Sequence, residues 1–341
     1  MANYPHRLIN VPNRSYQAVA RSEIKKIAAS IGFSNRRLAE IEIIVAEITS
    51  NLVKHTSNGG ELLIKILTGE HTGLEIISID HGPGIEAIAK MMEDGVSSAK
   101  TLGQGLGAIK RLSDEFDLYS LPGWGTVLLS RIFTAGPLQR KKNLFDVGVV
   151  MLAKEGETAC GDNFYCYARN NQLKFALSDG LGHGEHASIA AAESILAFKN
   201  CIMLPPNEQL KQIDQRIKGT RGAVMNITHI NLTNKQGLYC GVGNIASKVS
   251  SPTNYKSCIS YNGIVGHTMP TTMNNHLIQW DKCSVLVIHS DGLSSRWELQ
   301  RYPSIVSHDR SIIAASLYKD HCRRNDDVTV AVISQSAIAL H

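Results

Sequence analysis

Phe175-Ala176-Leu177-Ser178-Asp179-Gly180-Leu181-Gly182-His183-Gly184 carries an apolar run into an aspartate set among glycines. The run reads as a buried strand, and the glycines as a tight turn that lets something approach the backbone closely. The same phrase returns in Leu286-Val287-Ile288-His289-Ser290-Asp291-Gly292-Leu293. One copy reads equally well as a simple turn. Two copies deliver two aspartates at strand ends, which is how hard cations are held. The flanking sequences do not match, so the repeat is not an internal duplication.

Outward from these two stretches, residues 145–152, 165–168, 173–177, 222–231, 237–242, 245–250, 284–289 and 328–332 read as strands. Residues 187–199, 208–217 and 311–318 read as helices, with Pro205-Pro206 breaking the chain between the first two. Asp162, Asp179, Asp291 and Asp326 (with Asp327 beside it) then all fall at strand ends or turns. A single such aspartate is usually a cap. Four, each at the edge of an apolar strand, are harder to explain that way. Clustered carboxylates repel, so a shared site calls for cations. Oxygen ligands without Cys or clustered His point to Mg²⁺ or Mn²⁺ rather than zinc. Two such ions can bind and deprotonate a water that attacks phosphorus in line.

The first 134 residues have a different pattern. A strand at 6–11 precedes a helix at 14–31, and Ser34 reads as the N-cap of a second helix ending near His55. Ile41, Ile44, Val45, Ile48 and Leu52 fall at core spacing on that helix. Glu47, Asn51, Lys54 and His55 share a neighbouring face, either a solvated face or a catalytic one. Paired strands at 61–67 and 74–79 lead into Asp80-His81-Gly82-Pro83-Gly84-Ile85. Gly103-Gln104-Gly105-Leu106-Gly107 then opens a helical run at 108–112, a stretch able to cradle a phosphate. Strands at 115–120 and 126–133 flank the turn Pro122-Gly123-Trp124-Gly125. The spacing is neither the dinucleotide G-x-G-x-x-G nor a Walker A sequence.

In this order, Glu47-x-x-x-Asn51, Asp80-x-Gly82-x-Gly84, Gly103 to Gly107 and Gly125-Thr126 resemble the GHKL ATP-binding fold. The nearest branch is the small serine kinases of the RsbT/RsbW anti-sigma type. The resemblance implies an α/β sandwich of the Bergerat type that binds ATP with Mg²⁺. By carry-over, Asp80 contacts the adenine amino group, Asn51 holds Mg²⁺, and Glu47 is the general base. Gly82, Gly84, Gly103, Gly105, Gly107 and Thr126 complete the nucleotide site. Phosphoryl transfer needs positioning, metal charge neutralisation and a base near the nucleophile, so the chemistry agrees. His55 becomes a phosphate-side or structural residue. The helical hairpin of a histidine kinase and the transducer domain of a gyrase-like ATPase have no counterpart in the sequence.

The second half resembles the PPM metal-dependent Ser/Thr phosphatases, in the SpoIIE/RsbX branch, an α-β-β-α sandwich. The matching residues are Gly161-Asp162-Asn163, Ser178 to Gly184, Ser290-Asp291-Gly292 and Asp326-Asp327-Val328-Thr329. Gly219-Thr220-Arg221-Gly222 and Gly241-Val242-Gly243-Asn244 add to them. By carry-over, Asp162 and Asp179 bridge or hold two Mn²⁺ or Mg²⁺ ions, Gly180 lends its carbonyl, and Asp291 and Asp326 complete the set. Asp326, not Asp327, aligns with the ligand aspartate of the final motif. His183 and His186 read as outer or exposed residues. Arg221 is the candidate for binding the substrate phosphate.

The chain has 341 residues, 43% hydrophobic and 19% charged, which suits two soluble globular domains. An α+β reading follows: an ATP-binding domain at 1–134, a Gly-Pro-basic linker at 135–144 and a phosphatase domain at 145–341. The net charge of +5 is mild and scattered, so nucleic acid is not an expected partner. Seven cysteines without a C-x-x-C pair read as reduced thiols, and no run is long enough to span a membrane, which together point to the cytoplasm. The resemblances imply a bifunctional switch that phosphorylates a serine or threonine and removes the phosphate. Its partner is then a STAS-domain antagonist of the RsbS/RsbR kind, in bacterial partner switching. The resembled kinases often dimerise, so a homodimer is the matching assembly. In the alternative reading only the phosphatase turns over, and the first domain senses nucleotide or docks the partner.

Overall fold

The structure is a computed structural model that describes residues 4–68, 71–86, 102–136, 143–251 and 255–336. The chain divides into two compact units, Met1–Arg140 and Lys141–His341. The basic joint at 140–142 lies outside the described residues.

In the first unit, β1 (Arg7–Val11), β2 (Gly60–Leu67), β3 (Gly73–Asp80), β4 (Glu115–Leu121) and β5 (Gly125–Phe133) form one antiparallel sheet in the order β1-β2-β3-β5-β4. Helices α1 (Ser15–Ser30), α2 (Asn35–His55) and α3 (Leu102–Leu112) accompany it. Side chains alternate across a strand, so Leu62, Ile64, Leu74, Ile76, Leu128 and Ile132 share a face. They join Ile41, Ile44, Val45, Ile48 and Leu52 of α2 in one core. Each such burial stabilises by about 1.5–3 kcal/mol, so a carboxylate at Ile44 would break the layer. Helix α2 starts where the sequence predicts: the Ser34 Oγ accepts a hydrogen bond from the Arg37 N–H at 3.3 Å. Its buried stripe fixes its rotation, and Glu47 and Asn51 are left on a half-buried flank.

The second unit stacks two five-stranded antiparallel sheets. The first has the order β13-β10-β9-β8-β7, from β7 (Asp162–Arg169), β8 (Gln172–Gly180), β9 (Ala223–Asn231), β10 (Gln236–Val242) and β13 (His276–Gln279). The second has the order β12-β11-β14-β15-β6, from β6 (Phe145–Leu152), β11 (Ala246–Ser250), β12 (Tyr255–Cys258), β14 (Val285–His289) and β15 (Val328–Gln335). Phe164, Phe175, Leu177, Leu286, Ile288 and Ile333 fill the space between them. Helices α4 (Glu185–Asn200) and α5 (Pro206–Ile217) cover the first sheet through Phe198, Leu210 and Ile213. Helix α6 (Arg310–His321) packs on β6 and β15. The result is the α-β-β-α sandwich expected, preceded by an α/β sandwich. Strands β12 and β13 have no counterpart in the sequence reading.

Candidate functional sites

In the first unit, one turn of α2 separates Glu47 from Asn51, and α3 approaches them with bare backbone. A Cβ at Gly105 would lie 2.6 Å from Glu47 Oε2 and 3.7 Å from Asn51 Oδ1. The sequence placed Gly103, Gly105 and Gly107 before a helix; they lie inside α3, which begins at Leu102. Close packing of α3 on α2 explains the departure, because a missing Cβ permits that contact. Leu106 and Ile109 of α3 are buried in the core. A cavity of about 110 Å³ adjoins this contact, lined by Asn51, His55, Asp80, Gly84, Leu118 and Thr126 among others. Asp80 ends β3 opposite Thr126 of β5. Its Oδ1 accepts the Gly82 N–H at 2.7 Å, which fixes the carboxylate in the turn. Gly84 has φ +76°, and a Cβ there would meet Leu121 O at 2.0 Å. His55 lines the same cavity, and burial, then Lys54, lowers its pKa. An apolar slot ending in a carboxylate suits a flat base with an amino group.

In the second unit, a two-residue turn sets the site. Asn170 and Asn171 adopt φ +49° and +61° between the paired residues Arg169 and Gln172. This is the geometry of a tight hairpin, and it fixes the register of β7 on β8. Asp162 and Asp179 are thereby direct cross-strand neighbours. The glycine after each repeated aspartate also has a packing cause. A Cβ at Gly180 would lie 2.0 Å from Ala187 O of α4, and one at Gly292 would lie 2.1 Å from Asp327 O. The two Ser-Asp-Gly ends are crossing points of backbone.

Asp179, Asp291 and Asp326 line a cavity of about 340 Å³ together with Gly182, Asn244 and Asn262. Asp326 faces this cavity, whereas Asp327 is buried, with its Oδ1 accepting the Lys154 N–H at 3.0 Å. Asn244 Nδ2 donates to Asp291 Oδ2 at 2.7 Å, and Ser290 Oγ donates to Asp162 Oδ2 at 2.7 Å. Burial pushes the Asp162 and Asp179 carboxyls well above the ordinary range, and the neighbouring aspartates add to it. Asp291 is raised by burial and then by Asp326. Two buried oxygens, Asp162 Oδ1 and Asp327 Oδ2, have no hydrogen-bond partner. Among the described residues no three acidic, His or Cys side chains already form a closed metal shell. Mg²⁺ requires none, since it keeps several waters and takes few carboxylates. Repelling carboxylates, orphaned oxygens and an all-oxygen donor set fit a hard divalent cation. His183 lies on the exposed rim, its Nδ1 2.6 Å from Glu157 Oε1, and His186 is exposed on α4.

Residues 12–131 match the family described as histidine kinase-like ATPase domain, and residues 169–335 match stage II sporulation protein E (SpoIIE). The phosphoserine phosphatase RsbX of Bacillus subtilis (strain 168) is 34% identical over 193 residues, covering 53% of this chain and 90% of RsbX. The serine/threonine-protein kinase RsbT of the same organism is 38% identical over 107 residues, covering 31% of this chain and 80% of RsbT. The chain belongs to both families, one in each unit. A solved structure of RsbX in complex with magnesium is 28% identical with a TM-score of 0.50, covering 58% of this chain and 98% of that one. The first unit is therefore a histidine kinase-like ATPase domain, and the second is a SpoIIE-family domain with the PP2C-like phosphatase fold.

Within the SpoIIE-family unit the sequence reading missed the partners that aim the carboxylates. Ser290 and Asn244 both sit in motifs the sequence displays, but nothing in spacing says which carboxylate each serves. Asp327 was set aside as the neighbour of Asp326, yet it carries one of the orphaned oxygens. The contrast between Ser290 and Ser178 was equally hidden: the Ser178 hydroxyl is buried without a partner.

Proposed function

We propose that this protein phosphorylates a serine or threonine of a partner protein with its first unit and removes that phosphate with its second. The observation that supports the reading is the coexistence, in one chain, of two clusters of residues of the kinds phosphoryl chemistry uses. Glu47 and Asn51 stand against the glycine face of α3, beside a cavity that ends in Asp80. Asp162, Asp179, Asp291 and Asp326 are gathered by crossing strands in the other unit.

In the first unit, Asp80 accepts the adenine amino group, with Gly82, Gly84 and Thr126 shaping the slot. Asn51 holds Mg²⁺ on the ATP phosphates, with Gly103, Gly105 and Gly107 of α3 beside them. Glu47 takes the proton of the attacking hydroxyl, a role that needs the carboxylate within hydrogen-bond reach. In the second unit, Asp162, Asp179, Asp291, Asp326 and the Gly180 carbonyl hold two Mn²⁺ or Mg²⁺ ions. Such ions neutralise the phosphoryl charge and make water acidic enough to act as the nucleophile. Asn244 holds the Asp291 carboxylate at the cavity, and Ser290 holds that of Asp162. Arg221 receives the substrate phosphate: its Nη1 lies 3.1 Å from where a Cβ of Gly182 would stand, at the cavity rim.

The partner is a STAS-domain antagonist of the RsbS/RsbR kind in a cytoplasmic partner-switching circuit, and the protein acts as a homodimer. The kinship with RsbT and RsbX supports this, since those relatives are a protein kinase and a phosphoserine phosphatase. Among the described residues no helix is long and apolar enough to cross a membrane. The test is to mix the protein with each STAS protein of its source genome and Mg-ATP, then remove ATP and add Mn²⁺. Phosphate that goes onto one substrate and comes off it supports the reading. Hydrolysis without phosphorylation would leave a phosphatase with a docking or sensing domain.

A further inference from the structure

Behind Asp162 runs a hydrogen-bonded chain that the phosphatase chemistry does not itself require. Trp297 Nε1 donates to His289 Nε2 at 3.1 Å, and both side chains are 1% exposed. An indole N–H can only donate, so His289 Nε2 must be the unprotonated nitrogen. The proton of the neutral ring is then on Nδ1, which lies 2.8 Å from the Ser290 carbonyl oxygen and donates to it. Ser290 in turn accepts the Thr329 N–H at its Oγ, 2.9 Å, and gives its own proton to Asp162 Oδ2, 2.7 Å. In this series the Ser290 hydroxyl oxygen is the only atom that both accepts and donates. Asp162 is left with Oδ1 buried and unpartnered.

The outer end of the chain is also held. Lys248 Nζ stands 4.3 Å above the Trp297 ring and donates to the carbonyls of Ser295 at 2.6 Å and Trp297 at 3.2 Å. His289 is the last residue of β14, paired with Ala246 on one side and Val330 on the other. The Ser290 peptide is thus pinned by the sheet before it and by the imidazole beside it.

We propose that Trp297 and His289 are positioning residues for the metal centre: they lock the Ser290 peptide so that its hydroxyl occupies Asp162 Oδ2 and leaves Oδ1 for the cation. The inference rests on the reading of Asp162 as a metal ligand. Outer partners of this kind change metal affinity by about 10–100-fold when removed. Trp297→Phe keeps an aromatic side chain but deletes the donor, along with part of the buried ring volume. His289 then loses the contact that fixes its tautomer. His289→Leu deletes both bonds, and His289→Asn restores a donor near the Nδ1 position.

The test is titration of MnCl₂ into the EDTA-stripped full-length protein without nucleotide, followed by calorimetry, with melting in EDTA as the check on folding. Trp297→Phe and His289→Leu are expected to weaken Mn²⁺ binding about tenfold, and His289→Asn to bind nearly as the wild type does. Wild-type affinity in all three variants overturns the inference and leaves the metal site standing. Equal weakening in all three, His289→Asn included, also overturns it, because a merely structural role would not spare that variant. A wild-type protein that takes up no Mn²⁺, or takes up as much after Asp179→Asn, refutes the reading underneath instead. Should His289→Leu fail to fold, the contrast between Trp297→Phe and His289→Asn decides alone.

Discussion

Asp162 and Asp179 face each other directly across β7 and β8, and the Asn170-Asn171 turn holds that register. Two carboxylates so placed oppose each other's ionisation, and Asp291, Asp326 and Asp327 act on Asp179 in the same direction. The folded chain therefore carries a local strain that a divalent cation would relieve. Burial is the larger cause of the Asp179 shift, and Asp179→Asn removes this ionisable group, which the fold holds unfavourably, at nearly constant shape. In EDTA the variant is expected to melt higher, by about 2–4 °C for each kcal/mol of repulsion removed. Added Mn²⁺ should raise the wild-type melting temperature and leave the variant's unchanged. Phosphoserine hydrolysis should fall by more than about 100-fold, beyond the loss typical of outer-shell partners. A lower melting temperature for Asp179→Asn in EDTA would count against the repulsion.

Gly105→Ala separates chemistry from folding in the kinase-like unit. The added Cβ would come within 2.6 Å of Glu47 Oε2, the free end of a flexible side chain. Glu47 can swing away, so the fold tolerates the change. Alanine is also the better helix former by about 1 kcal/mol, which offsets the crowding. ATP affinity and melting temperature should stay close to wild type while the phosphorylation rate falls. Glu47→Ala sets the floor, with a loss of about 10²–10⁴-fold if the carboxylate is the general base. A Gly105→Ala protein of normal rate would mean that the position of Glu47 does not matter.

Much of this was legible in the sequence because period and turn chemistry agree. The α2 stripe from Ile41 to Leu52 reads as a helix by spacing, and Ser34 marks its start. The four aspartates of the second unit read as a set because each ends or begins an apolar run. What was not legible depends on contacts distant in sequence. Asp162 is bonded to Ser290 across 128 positions, and Asn244 to Asp291 across 47. Strands β12, Tyr-Lys-Ser-Cys, and β13, His-Leu-Ile-Gln, are short and lie at sheet edges, so a one-sided apolar pattern has no length in which to appear. The glycines of α3 misled for a physical reason. Glycine is read as loop, but here its missing side chain allows two helices to touch.

His229 gives the second unit a defined response to acid. It sits on β9 with its Nε2–H donating to Gln209 Oε1 at 2.9 Å, and burial, then Lys174, depresses its pKa to about 3. The unfolded ring titrates near 6.5. A depressed histidine contributes stability in full above the unfolded value and loses it as pH falls from about 6.5 toward 3. Each unit of difference is worth about 1.4 kcal/mol, so at pH 4 the loss is at most about 3 kcal/mol. His229→Gln keeps a hydrogen-bonding group and removes the titration. Denaturant midpoints measured between pH 7 and 4 should fall less steeply for His229→Gln than for the wild type. Parallel slopes would assign the acid sensitivity elsewhere.

Arg221 bears on how a dianion enters a cavity lined by carboxylates. Its side chain is exposed, its Nη1 lies beside Gly182, and it has no ion-pair partner among the described residues. A guanidinium held at the rim without a carboxylate is free to take a phosphate in a bidentate fork. A charge-assisted bond of this kind is worth about 1.5–3 kcal/mol. Arg221→Ala should therefore lower kcat/KM for a phosphoserine peptide by about 10–100-fold, mostly through KM, with Mn²⁺ affinity unchanged. Arg221→Lys should recover only part, since an ammonium cannot form the fork. Arg323 is the informative control. It also is exposed, and its charge opposes the upward shift that burial gives the Asp291 carboxyl. If Arg323→Ala raises KM and Arg221→Ala does not, the phosphate enters from the Asp291 side and Arg221 serves only the fold of the turn.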